Sequence, residues 1–425
     1  MSGLAAWLDR LEARRPRGAF ELGLERIARV RATLGLQPAL PIITVAGTNG
    51  KGSTCCYLEA VLAAAGHRPG CFYSPHLLDF RERLRIDAAA IPDAALLRAF
   101  AAVEEADAKR PADAEPLSYF EFITLAAMLC FEEAGCGAAV FEVGLGGRLD
   151  AVNAFDADVA VITSIGLDHV EHLGSDRESI GREKAGVMRP GAAVVVGDLE
   201  PPASVLGRAA ELGCRTWRRG QDFNAEIGPG GDWNYRGPTL RPALPRPLMP
   251  GWHQYANAAC ALAALDALPQ LAVSQADVRA GLAQARLAGR FEVLPGPAPV
   301  ILDVAHNVPA AELLATTLGE MGPFRRSLAV FATLERKDAG GMAAALAGRV
   351  DRWHVAPCGG EGPAALAPLR ARLDELGADW QEHASVAAAR AAALAELGER
   401  ERLVVTGSFR TVEEYLKADG ERRAA

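Results

Sequence analysis

The sequence predicts an α/β protein: a phosphate-loop domain built on a mostly parallel, doubly wound sheet, followed by a smaller Rossmann-like α/β domain. Short, almost wholly apolar runs recur along the chain and end in glycine or polar loops, and alanine-rich helical stretches separate them. One such run, Pro41–Ala46, leads directly into Gly47-Thr48-Asn49-Gly50-Lys51-Gly52-Ser53. Apolar runs of this kind are how parallel strands read when helices cover both of their faces.

A chain of 425 residues exceeds the size of one hydrophobic core, so two or three domains are expected. In the first, strands are expected at Pro41–Ala46, Ala138–Val143, Val159–Ser164 and Ala192–Val196. Helices are expected near Ser53–Ala65, Ile91–Asp107 and Tyr119–Ala134. Gly228–Pro250 is rich in Gly and Pro and has little periodicity, which reads as an irregular excursion, and a helix follows from about Tyr255 to Ala267. Near Gly289 the alternation restarts, with strands at Val300–Val304, Ser327–Ala332, Arg352–Ala356 and Arg402–Thr406. The expected domains are therefore 1–288 and 289–425. In such sheets the reactive loops lie at the carboxyl ends of the strands.

Composition narrows the function. The net charge is −8 and the acidic residues are spread along the chain, which argues against broad nucleic-acid binding. The first residues lack the basic and apolar segments of a signal peptide, and no window offers about 18 uncharged apolar residues, so a cytoplasmic location and no membrane partner are expected. Eight cysteines show no Cys-x-x-Cys pair and no regular spacing, so neither a zinc site nor a disulfide framework is expected.

The glycine-rich loop joins a strand to a helix, so backbone N–H groups and a helix N-terminus converge on an anion. Lys51 is expected to reach the outer phosphates of ATP. The usual pattern has Gly-Lys-Ser/Thr after four residues; here position 45 is Val and Gly52 follows the lysine. Either Ser53 or Thr54 then supplies the metal-facing hydroxyl, with Ser53 preferred. The second strand runs into Glu142-Val143-Gly144-Leu145-Gly146-Gly147-Arg148-Leu149-Asp150, and the third into Ile165-Gly166-Leu167-Asp168-His169. Glu142 is a hard oxygen donor suited to magnesium. His169 reads as a ligand or as a structural hydrogen-bonder, and Asp150 as a site residue or a loop cap.

Ten stretches, in order, carry a resemblance: Leu22–Arg26, Ala46–Ser53, Ser74–Leu77, Tyr119–Glu121, Glu142–Asp150, Thr163–His169, Asp176–Gly186, Gly289–Phe291, Asp303–Asn307 and Gly407–Phe409. From Trp7 to about Tyr415 the chain resembles the folylpolyglutamate synthase family of the Mur-ligase superfamily, in the bifunctional bacterial form that also makes dihydrofolate. The resemblance implies an ATP-binding domain of the Mur ligase central type and a C-terminal glutamate ligase domain. It implies two magnesium ions held by Ser74, Glu142, His169 and the loop hydroxyl, and a Lys184 carbamylated by carbon dioxide. From its residues alone, Lys184 would be a surface or salt-bridge lysine. Thr48–Ser53, Asn257, Arg290 and Asp303 are implied to contact ATP. His306 is implied to stand near the acyl phosphate or the incoming glutamate, helix capping being its other reading. Pterin-binding segments are implied at Phe20-Glu21-Leu22, at Ser118-Tyr119-Phe120-Glu121 and at Leu149-Asp150-Ala151. Phe120 either stacks on the pterin or fills a helix core. Ser118 and Val152 stand where relatives often carry Thr.

The implied enzyme is an ATP-dependent carboxylate–amine ligase, expected as a monomer. It would add L-glutamate to dihydropteroate and to tetrahydrofolate polyglutamates through an acyl phosphate, releasing ADP and phosphate. The two domains would close over ATP. The competing readings are a monofunctional folylpolyglutamate synthase, another Mur-type ligase, a phosphate-loop NTPase or kinase, and a nucleotide-binding module without catalysis.

Overall fold

The structure, a computed structural model, describes residues 3–14, 23–360 and 366–424. The chain divides into two units, Met1–Leu248 with Tyr255–Ala285, and Met249–Gln254 with Arg286–Ala425.

The first unit holds an eight-stranded sheet made of β1 (Ile42–Ala46), β2 (Pro69–Phe72), β3 (Leu84–Ile86), β4 (Ala89–Ala90), β5 (Ala138–Glu142), β6 (Val159–Ile162), β7 (Ala193–Val196) and β8 (Arg215–Arg218). Its order is β4-β3-β2-β5-β1-β6-β7-β8. The strands from β2 to β8 across the sheet are parallel, and β3 and β4 add an antiparallel edge. From β1 the chain winds outward in both directions, which opens a crevice at the carboxyl ends of the central strands. The four strands expected here all form, and each is buried along its whole length. Phe141 on β5 anchors the core, with its ring 5.8 Å from Phe72, 5.9 Å from Phe131 and 5.8 Å from Phe155. The helices Lys51–Ala64, Asp93–Ala108 and Tyr119–Glu133 lie close to where the sequence puts them.

One expectation is corrected. The stretch Gly228–Pro250 is not irregular throughout: it carries β10 (Trp233–Arg236) and β11 (Arg241–Leu244), which with β9 (Asn224–Ile227) just before it form a three-stranded antiparallel sheet. Trp233 and Tyr235 point inward while Asn234 and Arg236 face solvent, the alternation of a half-buried strand. The Tyr235 hydroxyl donates to Asp266 Oδ2 at 2.9 Å, fastening the sheet to the helix His253–Asp266.

The second unit carries β12 (Glu292–Leu294), β13 (Val300–Leu302), β14 (Ser327–Phe331), β15 (Arg352–Val355), β16 (Asp379–Glu382) and β17 (Arg402–Thr406), in the order β12-β13-β17-β14-β15-β16. All pairs are parallel except β12 with β13. Phe331 and Trp353 meet edge-on at 5.5 Å within its core. The α/β class is thus as expected, with mostly parallel sheets in both units. Among the described residues no helix is long and apolar enough to cross a membrane, and none of the eight cysteines is in a disulfide.

Candidate active site

In the first unit the site grows from the register of three strands. Val45 on β1 lies opposite Glu142 on β5, and Ala46 lies opposite Ile162 on β6. The phosphate loop, Glu142 and the Thr163–His169 segment therefore leave the sheet at one edge. Gly50 caps the helix Lys51–Ala64 with φ 86°, a left-handed conformation that favours glycine. A Cβ there would stand 2.5 Å from Asn257 Oδ1, so the candidate ATP contact Asn257 lies directly against the loop.

Hydroxyls fix the shape of the loop. Thr48 Oγ1 accepts from Gly166 N–H at 3.0 Å, and Thr48 N–H donates to Ser164 O at 2.7 Å. Asn49 N–H donates to Ser164 Oγ at 3.2 Å, and Thr163 Oγ1 donates to Asn49 O at 2.7 Å. Thr163 and Ser164 thus shape the phosphate loop, a role the sequence reading did not assign. The available signal was two hydroxyl residues directly after an apolar strand. Gly52 and Ser53 are buried in the first turn of the helix.

Lys51 Nζ donates to Gly47 O at 2.9 Å and to Thr48 O at 3.1 Å. Lys184, in the helix Arg177–Ala185, is buried and donates to the same Gly47 O at 2.9 Å. Burial, with the charge of Lys51 beside it, lowers the Lys184 ammonium to about 7, although Asp168 and Asp150 pull the other way. Asp150 is buried as well and is pushed up to about 6 by desolvation, against hydrogen bonds from backbone N–H groups and the charge of Lys51. Its carboxylate accepts from Leu145 N–H at 2.8 Å and from Val152 N–H at 3.0 Å, which is also how a loop cap behaves.

Glu142 is buried at the end of β5, and its Oε2 accepts from Ser74 N–H at 2.9 Å. Ser74 Oγ is buried without a hydrogen-bond partner, a cost that an incoming ligand would relieve. Thr54 Oγ1 is in the same position. His169 follows β6 with φ 50° and caps the short helix Val170–Leu173; Asp168 Oδ2 lies 3.9 Å from its Nε2. Among the described residues no three His, Cys, Asp or Glu side chains form a group able to hold a metal. A cation here needs hydroxyl donors in addition to carboxylate. Ser74, Ser53 or Thr54, and Glu142 offer the hard oxygens magnesium takes, so the residues fit it.

Two of the three segments expected to bind the pterin meet. A Cβ on Gly144 would lie 2.9 Å from Phe120 Cζ and 3.2 Å from Asp150 Oδ2, so Phe120 and Asp150 flank one point of the loop after β5. Phe120 is half-buried, 5.5 Å from Phe72. Ser118 and Glu121 are engaged otherwise: they form the capping box of their helix, and Glu121 also binds Arg26 at 3.0 Å. Tyr119 is buried beneath the Arg83 guanidinium at 5.7 Å. Leu149 is half-buried and Ala151 is buried. Phe20, Glu21 and Leu22 lie outside the described residues.

The second unit gathers its own candidates. Asp303, just past β13, is half-buried; its Oδ2 accepts from Phe291 N–H at 2.9 Å and its Oδ1 from Ala305 N–H at 2.8 Å. Desolvation raises its pKa, while the nearby Arg290 charge, those two bonds and His306 oppose the rise. His306 Nδ1 lies 2.9 Å from Val304 O.

Two family descriptions match the chain: "Mur ligase middle domain" over residues 45–265 and "Mur ligase, glutamate ligase domain" over residues 289–409. They define the class as that of the ATP-dependent Mur-type ligases. The chain is 43% identical over 426 residues to the Escherichia coli (strain K12) dihydrofolate synthase/folylpolyglutamate synthase, covering 100% of this chain and 97% of that one. It therefore belongs to the dihydrofolate synthase/folylpolyglutamate synthase family. E. coli FolC in complex with DHPP and ADP superimposes with a TM-score of 0.90 at 43% identity, covering 99% of both chains. A bifunctional folylpolyglutamate synthase/dihydrofolate synthase with Mn, AMPPNP and L-glutamate bound gives a TM-score of 0.86 at 41% identity, covering 99% of this chain and 98% of that one.

Proposed function

We propose that this chain joins L-glutamate to dihydropteroate, giving dihydrofolate, and to tetrahydrofolate and its polyglutamates. The observation that carries the reading is the gathering of Lys51, Lys184, Glu142 and Ser74 about the carboxyl end of β1. A carboxylate is a poor acyl donor, because oxide would have to leave. Its oxygen therefore attacks the γ-phosphate of ATP, ADP departs, and the amine of glutamate attacks the acyl carbon. Phosphate leaves and the amine nitrogen gives up a proton.

In this scheme Lys51 swings from the Gly47 and Thr48 carbonyls to the transferring phosphoryl group, whose negative charge it stabilises. The N–H groups of Thr48–Ser53 cradle the phosphates, with Asn257 beside them. Arg290 and Asp303 contact ATP, with Arg290 suited to phosphate by its paired donors, and His306 serves the acyl phosphate or the glutamate. Ser53, Ser74, Glu142 and His169 would hold the magnesium. When bound, the metal neutralises charge on the phosphates. Phe120, Asp150 and their neighbours receive the pterin.

Carbamylation of Lys184 is part of this proposal. A neutral amine attacks carbon dioxide and an ammonium does not, so a lysine lowered to about 7 is reactive near neutral pH. The product is an anion, which removes a buried positive charge from beside Lys51. The enzyme is proposed as a cytoplasmic monomer that binds neither nucleic acid nor membrane, in keeping with its net charge of −8.

The test is phosphate release with ATP and L-glutamate, with dihydropteroate and tetrahydrofolate supplied separately. Turnover should require both the pterin and glutamate. Activity with neither pterin overturns the substrate assignment, and phosphate release without glutamate points to an NTPase.

A further inference from the structure

Gly407-Ser408-Phe409 carries no part of the chemistry above, yet its local structure is tightly determined. Gly407 has φ 117°, and a Cβ there would strike the Ala332 carbonyl just past β14. Ser408 Oγ accepts from Thr411 N–H at 3.0 Å, and the Thr411 hydroxyl donates to Ala332 O at 2.6 Å. The start of the helix Phe409–Ala424 is thereby pinned to the end of β14, and Phe409, its first residue, has a fixed position. The half-buried Phe409 ring lies 5.0 Å from the Arg290 guanidinium carbon and 5.8 Å from the His306 ring, which is inclined to it by 50°.

We propose that Phe409 is a positioning residue whose one ring orients both Arg290 and His306 for the ligase reaction. This inference rests on the reading that those two residues serve ATP and acyl transfer. A guanidinium is drawn to the face of an aromatic ring, and the contact adds restraint to a long side chain. For His306, a carbonyl can only accept, so its Nδ1 donates to Val304 O. That bond holds one edge of the ring, and contact with Phe409 further limits its tilt. Neither Arg290 nor His306 would then need to search for its working orientation when substrates arrive.

The alternative is that Phe409 merely fills space, and a thermodynamic cycle separates the two. Steady-state phosphate release is measured for the full chain and for Phe409→Leu, Phe409→Tyr, Arg290→Gln and the Phe409→Leu/Arg290→Gln pair, with melting temperatures alongside. Phe409→Leu should raise the KM for ATP about threefold to thirtyfold, the range of a cation–ring contact. Phe409→Tyr, which keeps the ring face, should stay within about twofold. In the Arg290→Gln background, Phe409→Leu should change the KM for ATP by less than about twofold. Should Phe409→Leu melt below the assay temperature, Phe409→Met replaces it under the same criteria.

Normal kinetics for Phe409→Leu, equal loss in both backgrounds, or equal impairment by Leu and Tyr would each overturn the proposal. If Arg290→Gln itself leaves the KM for ATP unchanged, the reading of Arg290 fails and this inference falls with it. That outcome differs from failure of Phe409→Leu alone.

Discussion

Lys51 and Lys184 donate to one acceptor, the carbonyl oxygen of Gly47, each at 2.9 Å. Two ammonium groups sharing a carbonyl repel one another, and the buried one yields: Lys184 is lowered to about 7, by desolvation first and by Lys51 second. Because its folded pKa lies below the unfolded value, its contribution to stability is present above the unfolded pKa and lost as pH falls through about 7. The neutral amine likewise shrinks roughly tenfold for each pH unit below that point. Ligation should therefore weaken in acid and recover as carbon dioxide is raised, and a labelled carbamate carbon should be visible by NMR. A Lys184→Ala variant should be rescued in part by short carboxylates. Full activity of that variant without rescue would show that the lysine is not required.

Replacing Lys51 by Ala should abolish ATP-dependent ligation, with a loss of at least about 10²–10³-fold in turnover, the scale for removing a charge that stabilises the transition state. The described hydrogen bonds of this side chain go to loop carbonyls, and circular dichroism and the melting profile should stay close to those of the parent. Normal turnover in the purified variant would remove the centre of the reading.

Glu142→Gln keeps an acceptor for the Ser74 N–H but loses the anion. Titrating ligation with Mg²⁺ or Mn²⁺ should show half-maximal activity displaced to at least about tenfold higher metal. Chelation of the metal should silence both proteins. An unchanged metal titration would exclude Glu142 as a ligand.

Tyr235→Phe tests a contact away from the chemistry. It deletes the hydroxyl that donates to Asp266 Oδ2, which still accepts from Thr239 N–H at 3.2 Å. Urea unfolding should show a loss of about 1–2 kcal/mol, while turnover of the folded enzyme stays the same.

The strands that the sequence reveals are the ones buried on both faces: Ile42–Ala46, Ala138–Glu142, Val159–Ile162 and Ala193–Val196 in the first unit, with β13, β14, β15 and β17 in the second. Their residues have no reason to alternate. Those it misses are short, marginal or polar. Pro69–Phe72 contains Pro and Gly yet lies wholly buried, and Arg215–Arg218 and Asp379–Glu382 are charged edge strands. In Trp233-Asn234-Tyr235-Arg236 the period-two signal was present, but the surrounding Gly and Pro residues masked it. At the site, residues of unusual type in unusual places were legible, among them the loop lysine and an acid ending an apolar run. Lys184 was legible only through the family resemblance, because nothing in Arg-Glu-Lys-Ala-Gly announces that its lysine will be buried. Thr163 and Ser164 were overlooked because hydroxyls that hold a loop look like any others until the loop is folded.

The borders of the two larger sheets bear on how this protein behaves when crowded. A bare strand edge is a template on which another chain can crystallise into fibre. In the first unit one border is the two-residue β4, too short to template anything, and the other is β8, which carries Arg215 and Arg218. The second unit ends on the three-residue β12 and on β16, with Asp379 and Glu382. Concentrated solutions of the folded enzyme should resist fibril growth by edge-to-edge accretion. Its colloidal weakness lies in partly unfolded chains that uncover the apolar inner strands.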